Sequence, residues 1–235
     1  MKYYCYLIAF LLPVFLSSLV SAQNAADILY KAGSFFKDAE NYQMKVSYAL
    51  YKNYTSNEVE EHYQGITVKQ KDCYYAKVKE TEIVSTAKWS ITISNEEKLM
   101  LIHQNALPLI PKELDLELIK KYGKELFVQE KENEYHVTIV FNEKTTVALE
   151  KMTVRIAKSN YFIHGITYYY HELHDFSPTY RQQDLSKPRL EILFFDYSQK
   201  TELESTVFEM ATYFKKQKEN YIPSSKYEHY ELILN

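Results

Sequence analysis

Between Tyr42 and Ile102, short runs of alternating apolar and polar residues follow one another, broken only by a few polar positions. In the first run Tyr42, Met44, Val46, Tyr48 and Leu50 alternate with Gln43, Lys45, Ser47 and Ala49. Successive side chains of a strand point to opposite faces, so this period of two predicts a strand with one buried face. The next strands are expected at Val59–Gln70, Cys73–Val84, Trp89–Ser94 and Leu99–Gln104. Lys71-Asp72 and Asn95-Glu96-Glu97 read as turns, and the whole stretch as an antiparallel meander.

The period changes on either side of it. From Ala25 to Glu40 the residues Ile28, Leu29, Ala32, Phe35, Phe36 and Ala39 recur at helical spacing, which predicts an amphipathic helix capped by Asn24. After Gln104 two prolines make Asn105–Pro111 an apolar loop. A short helix to Tyr122 follows, with Gly123 as its stop. Further strands are expected at Glu125–Glu130, Tyr135–Phe141, Met152–Ala157, Tyr161–His171 and Leu190–Tyr197. Leu173–Pro188 reads as a polar insertion, Val207–Phe214 as strand or helix, and Tyr227–Leu234 as a terminal strand. Glycine is scarce, at four residues, so Asn and Asp are expected to take the unusual backbone angles of the turns.

At the N-terminus Lys2 precedes an apolar run from Leu7 to Val20, and Val20-Ser21-Ala22 offers small residues where a signal peptidase reads. The pattern predicts a secretory signal over residues 1–22, cut after Ala22, with an uncleaved anchor as the alternative. Residues 23–235 are then expected to form a single domain. Of the two cysteines Cys5 leaves with the signal, so Cys73 has no intramolecular partner and stability must come from the core. Lys and Arg number 28 against 31 Asp and Glu, without a basic block, which argues against a nucleic-acid partner. The 23 Tyr and 12 Phe favour strands and surfaces that are apolar yet touch water.

No catalytic constellation stands out. His171-Glu172-Leu173-His174 has its histidines three apart at a strand end, where such positions face opposite ways, so it lacks the geometry of an H-E-x-x-H zinc site. It reads as a solvated strand end, with weak metal binding as the alternative. Cys73 opens a strand near Lys71, a setting in which a thiol can be activated. Asn53-Tyr54-Thr55 has the form of a glycosylation acceptor. No cofactor, metal or catalytic residue is expected.

What remains is a surface. Met44, Val46, Tyr48, Leu50, Ile66, Val68, Tyr74, Ile139, Phe141, Ile192 and Phe194 read as one continuous apolar sheet face. It serves equally as a core filled by two helices or as an apolar cavity for acyl chains, with Phe35 and Phe36 on its cover. Leu107, Leu109 and Ile110 would form a lip for a membrane or partner, or a hydrophobic staple for the next helix.

Order and motifs resemble the periplasmic outer-membrane lipoprotein carrier family, the LolA-like proteins. The resemblance is carried by the export signal, the amphipathic helix, the first strand, Gln64-Gly65-Ile66-Thr67-Val68-Lys69, and Ile91-Thr92-Ile93-Ser94-Asn95-Glu96-Glu97-Lys98-Leu99 before a proline-containing loop and helix. Gln70 stands where the carriers place an arginine. The resemblance implies a mainly β fold (α+β), an antiparallel unclosed β-barrel, or half-barrel, covered by short helices. It also implies a periplasmic monomer that shields an acyl chain, lipid or lipidated protein in transport, as a chaperone without chemistry, with transient membrane contact. The rival is a non-catalytic structural or interaction subunit of a cell-envelope assembly, with an envelope protein as partner.

Overall fold

The structure, a computed structural model, describes residues 24–103, 119, 121–142, 148–177, 183–217 and 220–234. The expected signal (1–22), the lip residues Leu107, Leu109 and Ile110, and most of the helix expected before Gly123 lie outside the described residues.

Residues 24–38 form helix α1. The strands are β1 Asn41–Tyr51, β2 Val59–Gln70, β3 Cys73–Val78, β4 Thr81–Ser85, β5 Ser90–Ser94, β6 Leu99–His103, β7 Gly123–Glu130 and β8 Glu134–Phe141. Then come β9 Leu149–Ala157, β10 Ile163–Tyr170, β11 His174–Asp175, β12 Leu185–Ser186, β13 Arg189–Ser198, β14 Phe214–Gln217, β15 Asn220–Pro223 and β16 Glu231–Leu234. Twelve of them form one sheet in the order β16-β6-β5-β4-β3-β2-β1-β13-β10-β9-β8-β7, whose two end strands do not pair, so the sheet is unclosed. β11-β12 and β14-β15 are separate two-stranded pairs.

Two compact units divide the chain: Met1–Lys37, Ala49–Glu61 and Ile110–Ile192 in the first, Asp38–Tyr48, His62–Leu109 and Leu193–Asn235 in the second. In the first, Ala25, Ile28, Leu29, Ala32 and Phe36 are buried along one stripe of α1. Phe35 and Phe36 each meet the Phe162 ring at 5.7 Å, just before β10. Register places Leu126, Ile139, Met152 and Tyr168 in one cross-strand row and Val128, Val137, Val154 and Ile166 in the next. Ile139, Met152, Val137 and Val154 are fully buried, so this face is core. The opposite face mixes polar residues with Phe127, Val140 and Tyr169, and the Thr138 and Thr153 hydroxyls lie 3.1 Å apart upon it.

The second unit carries β3 to β6, most of β2, and the C-terminal segment. Here two expectations are corrected. Cys73–Val84 is two strands with a turn at Lys79-Glu80, not one strand. The turn was hidden because Lys79 takes the left-handed conformation at φ 51° with no Gly, Asn or Asp to mark it. Lys71 and Lys98 do likewise at φ 52° and 55°, so lysine, rather than Asn or Asp, makes these turns. Left-handed geometry is uphill for a residue with a Cβ. Aromatic contacts offset the cost at two of them, Lys79 Nζ lying 3.5 Å above the Tyr63 ring and Lys98 Nζ 5.1 Å from the Tyr230 centroid. At the C-terminus, Val207–Phe214 is two short 3₁₀ turns, Ser205–Phe208 and Met210–Thr212, leading into β14. The terminal strand β16 pairs parallel to β6, a departure from the antiparallel pairing of β2 to β6.

Candidate functional site

The two-residue turn at Lys71-Asp72 fixes how the faces of the second unit are composed. It pairs Gln70 with Cys73, and thereby Val68 with Tyr75 and Lys69 with Tyr74. Paired residues share a face. Ile66 and Val68 therefore lie with Lys77 and Tyr75, while Tyr74 lies on the other side with Lys69 and Thr67. The expected single face holding Ile66, Val68 and Tyr74 together is corrected: the register separates Tyr74 from the other two.

The first of these faces runs through Val68, Tyr75, Val84, Ile91 and Ile102. It is filled. Val68, Tyr75, Val84, Trp89, Ile91, Ile93, Met100 and Ile102 form one buried cluster with Tyr213, Phe214 and Tyr227 from the C-terminal segment. Trp89 meets Tyr213 at 6.0 Å and Phe214 at 5.8 Å, and Phe214 meets Tyr221 at 5.4 Å. At its margin Glu82 accepts hydrogen bonds from Tyr75 at 3.1 Å and Asn95 at 2.9 Å and faces Lys77 at 3.4 Å. Burial works against the charge on Glu82, but the Asn95 amide, Lys77 and Tyr75 outweigh it and hold the carboxyl below its usual range.

The opposite face, the Tyr74 face, has another character. Thr67, Ala76, Ile83, Thr92 and Leu101 form one row across it, and Lys69, Tyr74, Ser85, Ser90 and His103 the next. Tyr74, Ala76, Ile83, Thr92, Leu101 and His103 are only half-buried. Val46 belongs to this face, because a Cβ built on Gly65 would sit 3.2 Å from its Cγ1. Strand alternation then adds Tyr42, Met44 and Tyr48 of β1; the first two are buried with Val46, and Tyr48 is half-buried. Burial is the main cause raising the Tyr42, Tyr48 and Tyr74 phenols, and at Tyr42 and Tyr48 the neighbouring Tyr74 adds to it. Thus Met44, Val46, Tyr48 and Tyr74 are brought together, and Ile66 and Val68 are not among them.

Leu50 continues the same alternation of β1 but belongs to the first unit, and the other expected cavity residues are not part of the Tyr74 face. Ile139 and Phe141 are buried core of the first unit, where Phe35 and Phe36 close on Phe162. Leu50 and Ile192 of that unit and Phe194 of the second are half-buried. A cluster that alternation did not reveal sits in the first unit around Arg189. Its Nη1 and Nη2 donate to the carbonyls of Tyr54 at 2.5 Å and Ser56 at 3.1 Å, its Nε lies 3.2 Å from Glu191, and its plane stacks on Tyr51 at 4.1 Å. That clamp holds the β1–β2 loop; its sequence signal is an arginine just after the Leu173–Pro188 insertion.

Cys73 is not activated: burial first, then the Asp72 charge, push its thiol up and keep it protonated. His174 pairs with Ser186 in β11-β12 and stacks edge-on with Phe176 at 4.8 Å. Among the described residues no group of three or more His, Cys, Asp or Glu side chains is placed to hold a metal ion. No described helix is long and apolar enough to cross a membrane.

Fold and faces thus define a mainly β protein built on an unclosed sheet, with one face of the second unit filled and the other incompletely covered. No family model and no curated protein matches the chain. Among solved structures it is similar to an uncharacterised conserved protein from Thermus thermophilus, at 8% identity and TM-score 0.50, over 90% of this chain and 99% of that one. It is also similar to a LolA superfamily protein from Nitrosomonas europaea, at 11% identity and TM-score 0.36, over 80% and 97%. A DUF1329 family protein from Desulfovibrio piger matches at 11% identity and TM-score 0.42, over 81% and 98%. At such identities the likeness concerns the fold alone.

Proposed function

We propose that the chain is an exported periplasmic carrier, a single domain that shields the acyl chain of a lipid or lipidated protein on the Tyr74 face, without making or breaking a bond. The observation that carries this reading is the contrast between the two faces of one set of strands. Ile91 and Ile93 on the filled face are fully buried, whereas Ile83 and Leu101 on the Tyr74 face are half-buried, as are Tyr48 and Tyr74. Apolar side chains left partly exposed on a sheet gain by burial against a guest, at about 0.8 kcal/mol for each methylene removed from water. Tyrosines suit such a surface, being apolar in the ring and polar at the tip. The leader expected over residues 1–22 supports export.

Native mass spectrometry after mild purification, followed by titration with a fluorescent fatty acid, tests the reading. Bound lipid or saturable uptake of the probe supports it. A protein that is empty and takes up no probe overturns it and leaves the rival, a non-catalytic subunit of an envelope assembly.

A further inference from the structure

The buried polar side chains of the described residues are concentrated in one place. They are Thr67, Lys69, Ser85, Thr86, Ser90 and Ser224, and four of these, Thr67, Lys69, Ser85 and Ser90, lie in the two adjoining rows of the Tyr74 face. One row is polar throughout: Lys69 pairs with Tyr74, Tyr74 with Ser85, Ser85 with Ser90 and Ser90 with His103, at the ends of five successive strands. The hydrogen bond from the Lys71 amide to the Glu40 carbonyl at 2.8 Å sets β1 against β2 so that Tyr42 lies opposite Lys69 and extends the row. Tyr42 in turn meets the Tyr197 ring at 6.0 Å. Lys69 is 7% exposed, Ser85 1% and Ser90 0%.

Such a row is costly unless it has a use. Burying an ammonium or a hydroxyl costs free energy that only polar partners recover, and apolar residues at the same positions would stabilise the sheet at no such cost. The filled face of the same strands has apolar residues at the same depth: Val68, Tyr75, Val84, Trp89, Ile91 and Ile102. Lys69, Ser85, Ser90 and His103 already take part in interactions of their own, so a guest has to compete with partners already in place. The row itself is rich in donors: an ammonium with three, and hydroxyls from two serines and two tyrosines. No Asp or Glu belongs to the row. It suits the oxygens of an anion, and the next row, with Ala76, Ile83 and Leu101, suits a hydrocarbon chain.

We propose that the Lys69–His103 row binds the acidic head of an amphiphile whose chain lies along the Tyr74 face. The assignment rests on the carrier reading and makes it specific: the guest is a long-chain acid or phosphate monoester, not a neutral lipid. Three probes of equal chain length separate the possibilities at pH 8: palmitate, hexadecyl phosphate and hexadecanol. The wild-type protein is expected to bind at least one acidic probe at least about tenfold more tightly than hexadecanol, the scale of one hydrogen bond to a charged group. Whether palmitate or hexadecyl phosphate binds more tightly tells a carboxylate head from a phosphate head. Lys69→Met should remove most of that preference and leave hexadecanol binding unchanged, while Lys69→Arg retains it. Should Lys69→Met fail to fold, by Trp89 emission and melting, the Ser85→Ala/Ser90→Ala double variant replaces it, with a several-fold loss expected for the acidic probe alone. Equal affinity of the wild type for all three probes, or an equal loss for acid and alcohol in the variants, overturns the head-group assignment and leaves the carrier reading standing. Binding of none of the three overturns both.

Discussion

Removing the Phe214 ring tests whether the Ile91 face is a filled core. Phe214 is 1% exposed and meets Trp89 and Tyr221 edge-to-face, at interplanar angles of 82° and 87°. Phe214→Ala deletes that ring from a site walled by strands on one side and by the C-terminal segment on the other. Truncation of a buried Phe costs about 3–5 kcal/mol, the lost transfer energy plus the cavity. With a urea slope of about 2 kcal/mol per molar, the unfolding midpoint should fall by roughly 1.5–2.5 M. Trp89 is the sole tryptophan and lies in the same cluster, so its emission follows the transition without a label. Ile83→Ala on the half-buried face should cost about 1–2 kcal/mol, because less surface is removed from contact. A Phe214→Ala midpoint within about 0.5 M of wild type would refute the reasoning, since the C-terminal segment would then contribute little to that face.

Other expectations follow from single contacts. A Cβ at Gly65 would collide with the Lys77 carbonyl oxygen and lie 2.8 Å from Val78 Cγ2, so Gly65→Ala should lose about 3 kcal/mol, read by thermal melting. Arg189→Met removes the donors to Tyr54 and Ser56 and should cost about 3 kcal/mol, with faster amide exchange confined to the β1–β2 loop. Glu82, held below its usual range in the folded state, adds stability that is present above its unfolded pKa of about 4.3 and is lost as pH falls through the folded value. Glu82→Gln should therefore flatten the acid limb of the stability profile below about pH 4.5, measured by urea midpoints across pH.

Alternation made the strands themselves legible: β2 runs from Val59 to Gln70 as its pattern predicts, and β1 departs from expectation by one residue at either end. Which residues share a face was harder. Pairing Gln70 with Cys73 sets even-numbered residues against odd-numbered ones, yet in β3 both parities are apolar, Tyr75 on one side and Tyr74, Ala76 and Val78 on the other. Hydrophobicity alone could not choose between them; the length of the turn could, and it separates Ile66 and Val68 from Tyr74. The cover of the Ile91 face was illegible for a different reason. Phe214 opens a four-residue strand, Tyr213 links it to the preceding 3₁₀ turn, and Tyr227 ends another such turn, elements too brief to show a period. The polar row was hidden because Lys69, Ser85, Ser90 and His103 read singly as solvent-facing strand residues and become a row only through the register of five strands.

The measurement that bears most directly on the account is methyl spectroscopy of protein labelled at the isoleucine δ1 carbons and titrated with palmitate. Ile83 lies on the half-buried face, and Ile91, Ile93 and Ile102 lie in the filled one, all within β4 to β6. The Ile83 methyl is expected to shift saturably while the three core methyls hold their positions. Saturable shifts at Ile91, Ile93 and Ile102 with Ile83 unmoved would place the guest on the wrong face, and no saturable shift anywhere would contradict a carrier.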